Sequence, residues 1–85
     1  MYNYETEKPK LLTDEGQKMV ITVLKNIQEL LKKSGAFMTF APLKNVKYGD
    51  TWTALAIIDR LVELGEIREV TDKGVAGQDR VFVSA

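Results

Sequence analysis

Neither cysteine nor histidine occurs among the 85 residues, which removes disulfides, thiolate nucleophiles, imidazole bases and the common zinc ligand sets together. A bound metal would have to rest on carboxylates alone. Those carboxylates are scattered without a paired acid and base, so no catalysis, cofactor or metal is expected. Charge of one sign is also missing. Twelve basic residues balance twelve acidic ones, leaving no global positive field to draw the chain towards nucleic acid. Prolines number only two, too few for a disordered linker. No apolar run approaches the roughly 20 residues that a membrane helix requires. The opening Met1-Tyr2-Asn3-Tyr4-Glu5 lacks the basic and apolar regions of a signal peptide. These absences lead to the expectation of a soluble, cytoplasmic protein without membrane contact.

What is present is an ordinary globular composition, 45% hydrophobic and 28% charged, enough to fold alone as one domain but with no room for a second core. Residues 1–12 read as an extended lead-in, because Pro9 disfavours helix back through Lys8; Leu11 and Leu12 are free to dock on the core. The folded domain then covers residues 13–85. Thr13 or Asp14 caps a first helix, with Gln17 placed as the partner of an Asp14 capping box. Along it Val20, Val23, Leu24, Ile27, Leu30 and Leu31 recur at the spacing of one helical face. Lys32 and Lys33 suit its last turn and Gly35 its end. Met19 and Ile21 widen the apolar arc, which either a second copy of the chain or the lead-in would cover.

Residues 36–40 are too short for a helix and carry the aromatics of a strand. Pro42 suits the first turn of a second helix of about two turns, with Leu43 and Val46 on its buried edge and a stop at Tyr48-Gly49. Asp50 or Thr51 caps a third helix, in which Ala54, Ile57, Ile58, Leu61 and Leu64 repeat at helical spacing until Gly65. Residues 66–71 and 80–84 are rich in β-branched side chains and flank a turn-prone segment, 72–79, that contains Gly74 and Gly77. They read as a terminal hairpin beside the strand at 36–40. The expected class is α+β, in the order helix-strand-helix-helix-strand-strand, with a three-stranded antiparallel sheet.

The stretch Ile58-Asp59-Arg60-Leu61-Val62-Glu63-Leu64-Gly65-Glu66-Ile67 resembles the leucine-x-x-leucine-x-x-x-glycine-x-isoleucine ending of the recognition helix in winged helix-turn-helix proteins. The spacing has a physical reason. Two apolar residues one turn apart seat the helix, glycine ends it, and the next apolar residue re-enters the core. The resemblance covers residues 13–85 and implies a sequence-specific binder of double-stranded DNA, a small transcriptional regulator whose third helix enters the major groove.

With Ala54 facing the core, a rotation of 100° per residue turns Trp52, Thr53, Ala56, Asp59, Arg60 and Glu63 outward. Thr53 could bond a base edge, Ala56 or Trp52 could touch a thymine methyl, and Arg60 could reach a phosphate or guanine. Thr51 stands at the start of the same helix. The resemblance further places Lys44, Lys47 and Tyr48 against the DNA backbone, and Lys73 and Arg80 at the wing. Against this, residues 36–85 carry six basic and seven acidic side chains, so the implied binding half is slightly acidic. The alternative is a protein-interaction module in which Trp52, Leu55 and Ala56 form an apolar patch at the third helix. Trp52 then either folds back over Tyr48 or anchors the partner. Dimerisation through the first helix is the family-like use of its wide apolar arc.

Overall fold

The computed structural model describes residues 1–70 and 80–85. The expected turn at 72–79, with Gly74 and Gly77, and the candidate contact Lys73 lie outside the described residues. The architecture is α+β: helices α1 (Tyr4–Leu11), α2 (Asp14–Ser34) and α3 (Thr51–Glu63), and strands β1 (Ala36–Met38), β2 (Ile67–Glu69) and β3 (Val81–Ser84). The strands form one antiparallel sheet in the order β1-β3-β2. No helix among the described residues is long and apolar enough to cross a membrane.

Helix α2 follows from its periodicity. Thr13 is the cap, its hydroxyl accepting from the Gly16 N–H at 3.0 Å, and Gly35 ends the helix at φ 74°, a conformation open to glycine without a Cβ clash. Its face of Val20, Val23 and Ile27 meets Ala54, Ile57, Ile58 and Leu61 of α3. Phe37, Ile67 and Phe82 close the core from the sheet. Across the β1–β3 pair Phe37 lies opposite Phe82, and their rings stack with centroids 5.4 Å apart.

Two elements differ from the sequence reading. The lead-in is helical over Tyr4–Leu11 despite Pro9. A proline here withholds an N–H from the carbonyl four residues back, and a helix of this length is marginal by itself. Three things offset that cost: the Asn3 side chain accepts from the Thr6 N–H at 3.3 Å, Glu5 and Glu7 begin the helix while Lys8 and Lys10 end it, and its most extensive tertiary contact is with α3. Leu11 is buried as expected, whereas Leu12 stays half exposed.

The second predicted helix shrinks to a single 3₁₀ turn, Ala41–Leu43. The carbonyl of Pro42, which an α-helix would offer to the Val46 N–H, accepts instead from the Asn26 side-chain amide at 2.9 Å. The Val46 N–H goes to the carbonyl of Leu43, and Asn45 turns left-handed at φ 65°. Asparagine tolerates that region better than most residues. Residues 44–50 consequently run as an open loop rather than a helix.

The corner between α1 and α2 depends on Gly16. A Cβ at this position would press on the Lys10 carbonyl oxygen and lie 2.5 Å from the Cα of Leu11. These are backbone atoms and cannot step aside as a side chain tip would. We expect Gly16→Ala to lower stability by about 1–3 kcal/mol, measured by chemical denaturation. Unchanged stability would show that the two helices do not hold this close approach in solution.

Candidate functional site

Helix α3 is packed on two flanks, and this decides which of its side chains can meet a partner. One flank enters the core through Ala54, Ile57, Ile58 and Leu61. The second is covered by α1. Tyr2 donates its phenol O–H to Asp59 at 2.6 Å, Tyr4 donates to Glu63 at 2.8 Å, and the Lys8 ammonium lies 3.0 Å from the same Glu63 carboxylate. Glu7, buried on α1, is paired with Lys10 at 2.7 Å.

This arrangement revises the outward face expected from the sequence. Thr53 is buried, and its backbone N–H is taken at 2.7 Å by the carboxylate of Asp50, the helix cap. Ala56 has no exposed surface. Neither side chain is presented for base contact. Arg60 is partly buried and donates to Glu63 at 2.7 Å. Arg80 is committed to two carboxylates: its Nη2 donates to Asp59 and to Glu69, each at 2.8 Å, and its Nε to the other Glu69 oxygen at 3.0 Å.

The sector of α3 left over runs through Trp52 and Leu55, bordered by Asp59, which Tyr2 and Arg80 engage, and by Val62, which packs against the core. Trp52 is 43% exposed, while Leu55, Asp59 and Val62 are each partly exposed. Among the described residues the cation that reaches this sector is Arg80, and it is bonded to Asp59. Thr51 and the loop residues Lys44 and Lys47 are exposed and Tyr48 is half-buried, so the surviving candidates fall in the single stretch 44–52. Next to it an apolar groove opens, walled by Met38, Phe40, Ala41, Leu43, Lys44 and Tyr48. Met38, Phe40 and Ala41 carried no role in the sequence reading. Met38 ends β1 and is 46% exposed, while Phe40 and Ala41, at the start of the 3₁₀ turn, are partly exposed.

On α2, Met19 packs against the core while Ile21 remains 54% exposed. Ile21 borders a shallow hollow with Leu12, Val20 and Leu64, so α1 covers only part of the wide apolar arc.

Charge pairing sets the titration of the α1–α3 contact. The hydrogen bond from Tyr4, then those from Lys8 and Arg60, hold the Glu63 carboxyl down from an ordinary 4.5 to about 2. Burial and the bond to Glu63 push the Tyr4 phenol up to about 12; burial and the bond to Asp59 push Tyr2 up as well. Because the Glu63 pKa is lower in the folded chain than in the unfolded one, its contribution is complete above pH 4.5 and is lost as pH falls towards 2.

We therefore expect α1 to loosen from α3 across that acid window, seen as faster amide exchange in residues 4–11. Glu63→Gln should show the loosened pattern already at neutral pH and lose the acid step. An acid step identical in the variant would assign the transition to other carboxyls. For Trp52 the half-exposed ring should be quenched readily by iodide, and Trp52→Ala should cost about 1 kcal/mol. A core tryptophan would instead resist quenching and cost about 3–5 kcal/mol. Set against protein-family models, curated proteins and solved structures, the chain matches none, so its functional reading rests on this surface.

Proposed function

We propose that the chain is a small winged-helix docking module whose partner is a protein, engaged through Trp52 and the surrounding surface of residues 44–52. The order α2, β1, 3₁₀ turn, α3, β2, β3 supports the winged-helix reading, with α1 added in front of it. One observation carries the choice of partner. The residues of α3 that would read bases are occupied by the chain itself: Thr53 and Ala56 are buried, and Arg60 is bonded to Glu63. The solvent-facing sector offers Trp52 with the partly exposed Leu55 and Val62 in their place. An exposed tryptophan with aliphatic neighbours is the composition of a protein-binding anchor, whereas DNA recognition requires donors and positive charge.

Double-stranded DNA is the second reading, favoured by Lys44 and Lys47, which are exposed and form no ion pair among the described residues. With Tyr48 and Thr51 they could hold a phosphate backbone, which fixes register without reading sequence. The two readings separate on salt. Under the protein reading, titration of a labelled random-sequence duplex gives no saturable binding below about 10 µM, even at low ionic strength. An affinity tighter than about 1 µM that falls steeply with salt, and is lost in Lys44→Ala with Lys47→Ala, would overturn it in favour of DNA.

A further inference from the structure

We infer that the groove between the end of β1 and the loop into α3 takes an acidic segment of the partner protein, one that carries a bulky apolar side chain flanked by Asp or Glu. The inference rests on the protein-docking reading above and names the chemistry of the docked segment. The groove is lined mostly by apolar side chains. Leu43 is buried, and Met38 stands 46% exposed at the rim. An apolar anchor seated there would remove Met38 from water, which is the ordinary driving force for such docking.

Charge complementarity selects the flanks of that anchor. The chain is neutral as a whole, yet residues 39–49, which supply most of the groove, hold Lys44 and Lys47 and no Asp or Glu. Lys44 stands in the groove wall and Lys47 directly precedes Tyr48. The carboxylates that come nearest in sequence are already engaged. Asp50 caps α3 through the Thr53 N–H, and Glu29, which lines the neighbouring hollow with Lys44, also faces Lys32 at 3.8 Å. A groove with an apolar lining and a positive rim favours a ligand with the inverse pattern.

A nucleic-acid strand would also bring negative charge, but its bases need open aromatic faces on which to stack. Phe40 and Tyr48 are partly buried and packed against the core instead. The acidic peptide is the better complement.

Selection of a random peptide library on the full chain, followed by NMR mapping of the enriched peptide, tests this. The enriched sequences should share Asp or Glu beside Leu, Phe or Trp, and the shifted amides should be those of Met38, Phe40, Lys44 and Tyr48. Lys44→Glu with Lys47→Glu should weaken the peptide about tenfold and leave thermal unfolding unchanged, since both lysines are exposed. Met38→Asp, which places a like charge at the rim, should weaken it independently. Enrichment of neutral or basic peptides, or shifts confined to Trp52 and α3, would overturn the acidic-segment inference and leave the docking reading standing. An empty selection would overturn it too. A short single-stranded oligonucleotide that displaces the peptide, and loses affinity in the same lysine variant, would overturn both.

Discussion

The guanidinium of Arg80 is the contact on which the arrangement of the other elements turns. It lies at the entry to β3 and grips Asp59 of α3 and Glu69 of β2 at the same time, while resting 5.1 Å from the centre of the Phe82 ring. Asp59 in turn accepts from Tyr2 through its other oxygen. One side chain thus joins the sheet to α3 and, through α3, to the segment that leads into α1. All these groups are partly withdrawn from water, where two carboxylates left facing each other without a cation would repel strongly. Fold and function are linked here, because an arginine saturated by two carboxylates has few donors left for a phosphate.

Much of this was legible from side-chain spacing, and the illegible part has a common cause. Helices α2 and α3 announce themselves because their cores are built by repetition: Val20, Val23 and Ile27 on one, Ala54, Ile57, Ile58 and Leu61 on the other. Caps such as Asp50 and stops such as Gly35 are equally local. Helix α1 has no such stripe. Leu11 anchors its end in the core, and the rest meets α3 through phenol hydroxyls and an ammonium reaching carboxylates more than 50 positions away, while Pro9 argued against any helix at all. The shortened second helix was hidden for the same reason, since Asn26, sixteen residues earlier, takes the carbonyl that the helix would have used.

The candidate site inherited that blind spot. Turning α3 outward from Ala54 assumes that the helix has one buried side, and under that assumption Thr53, Ala56 and Arg60 face solvent. Adding α1 gives the helix a second covered side, where the Tyr2 and Tyr4 phenols meet Asp59 and Glu63; Ala56 is fully buried, and Arg60 pairs with Glu63 one turn along the same helix. Trp52 escapes because it stands in the first turn. Its exposure, 43%, was the open alternative in the sequence, since an aromatic at that position can equally fold back on its neighbours.

A helix packed on both flanks behaves as a strut more than as a reading head. Major-groove recognition needs the start of a helix to project with its polar side chains free to enter the groove. In this chain the charged groups of α3 already have partners within the molecule: Asp59 with Tyr2 and Arg80, Glu63 with Tyr4, Lys8 and Arg60. Any partner that drew on them would have to compete with short intramolecular bonds and detach α1. What costs nothing to reach is the other material: the Trp52 ring, the Met38 side chain and two exposed lysines, all on or beside the loop between β1 and α3. Apolar surface of this kind is released from water by contact with another protein's apolar surface, and lysines that form no ion pair among the described residues are satisfied by carboxylates as readily as by phosphates. The balance of the exposed groups, more than the resemblance of the fold, is what argues for a protein in that place.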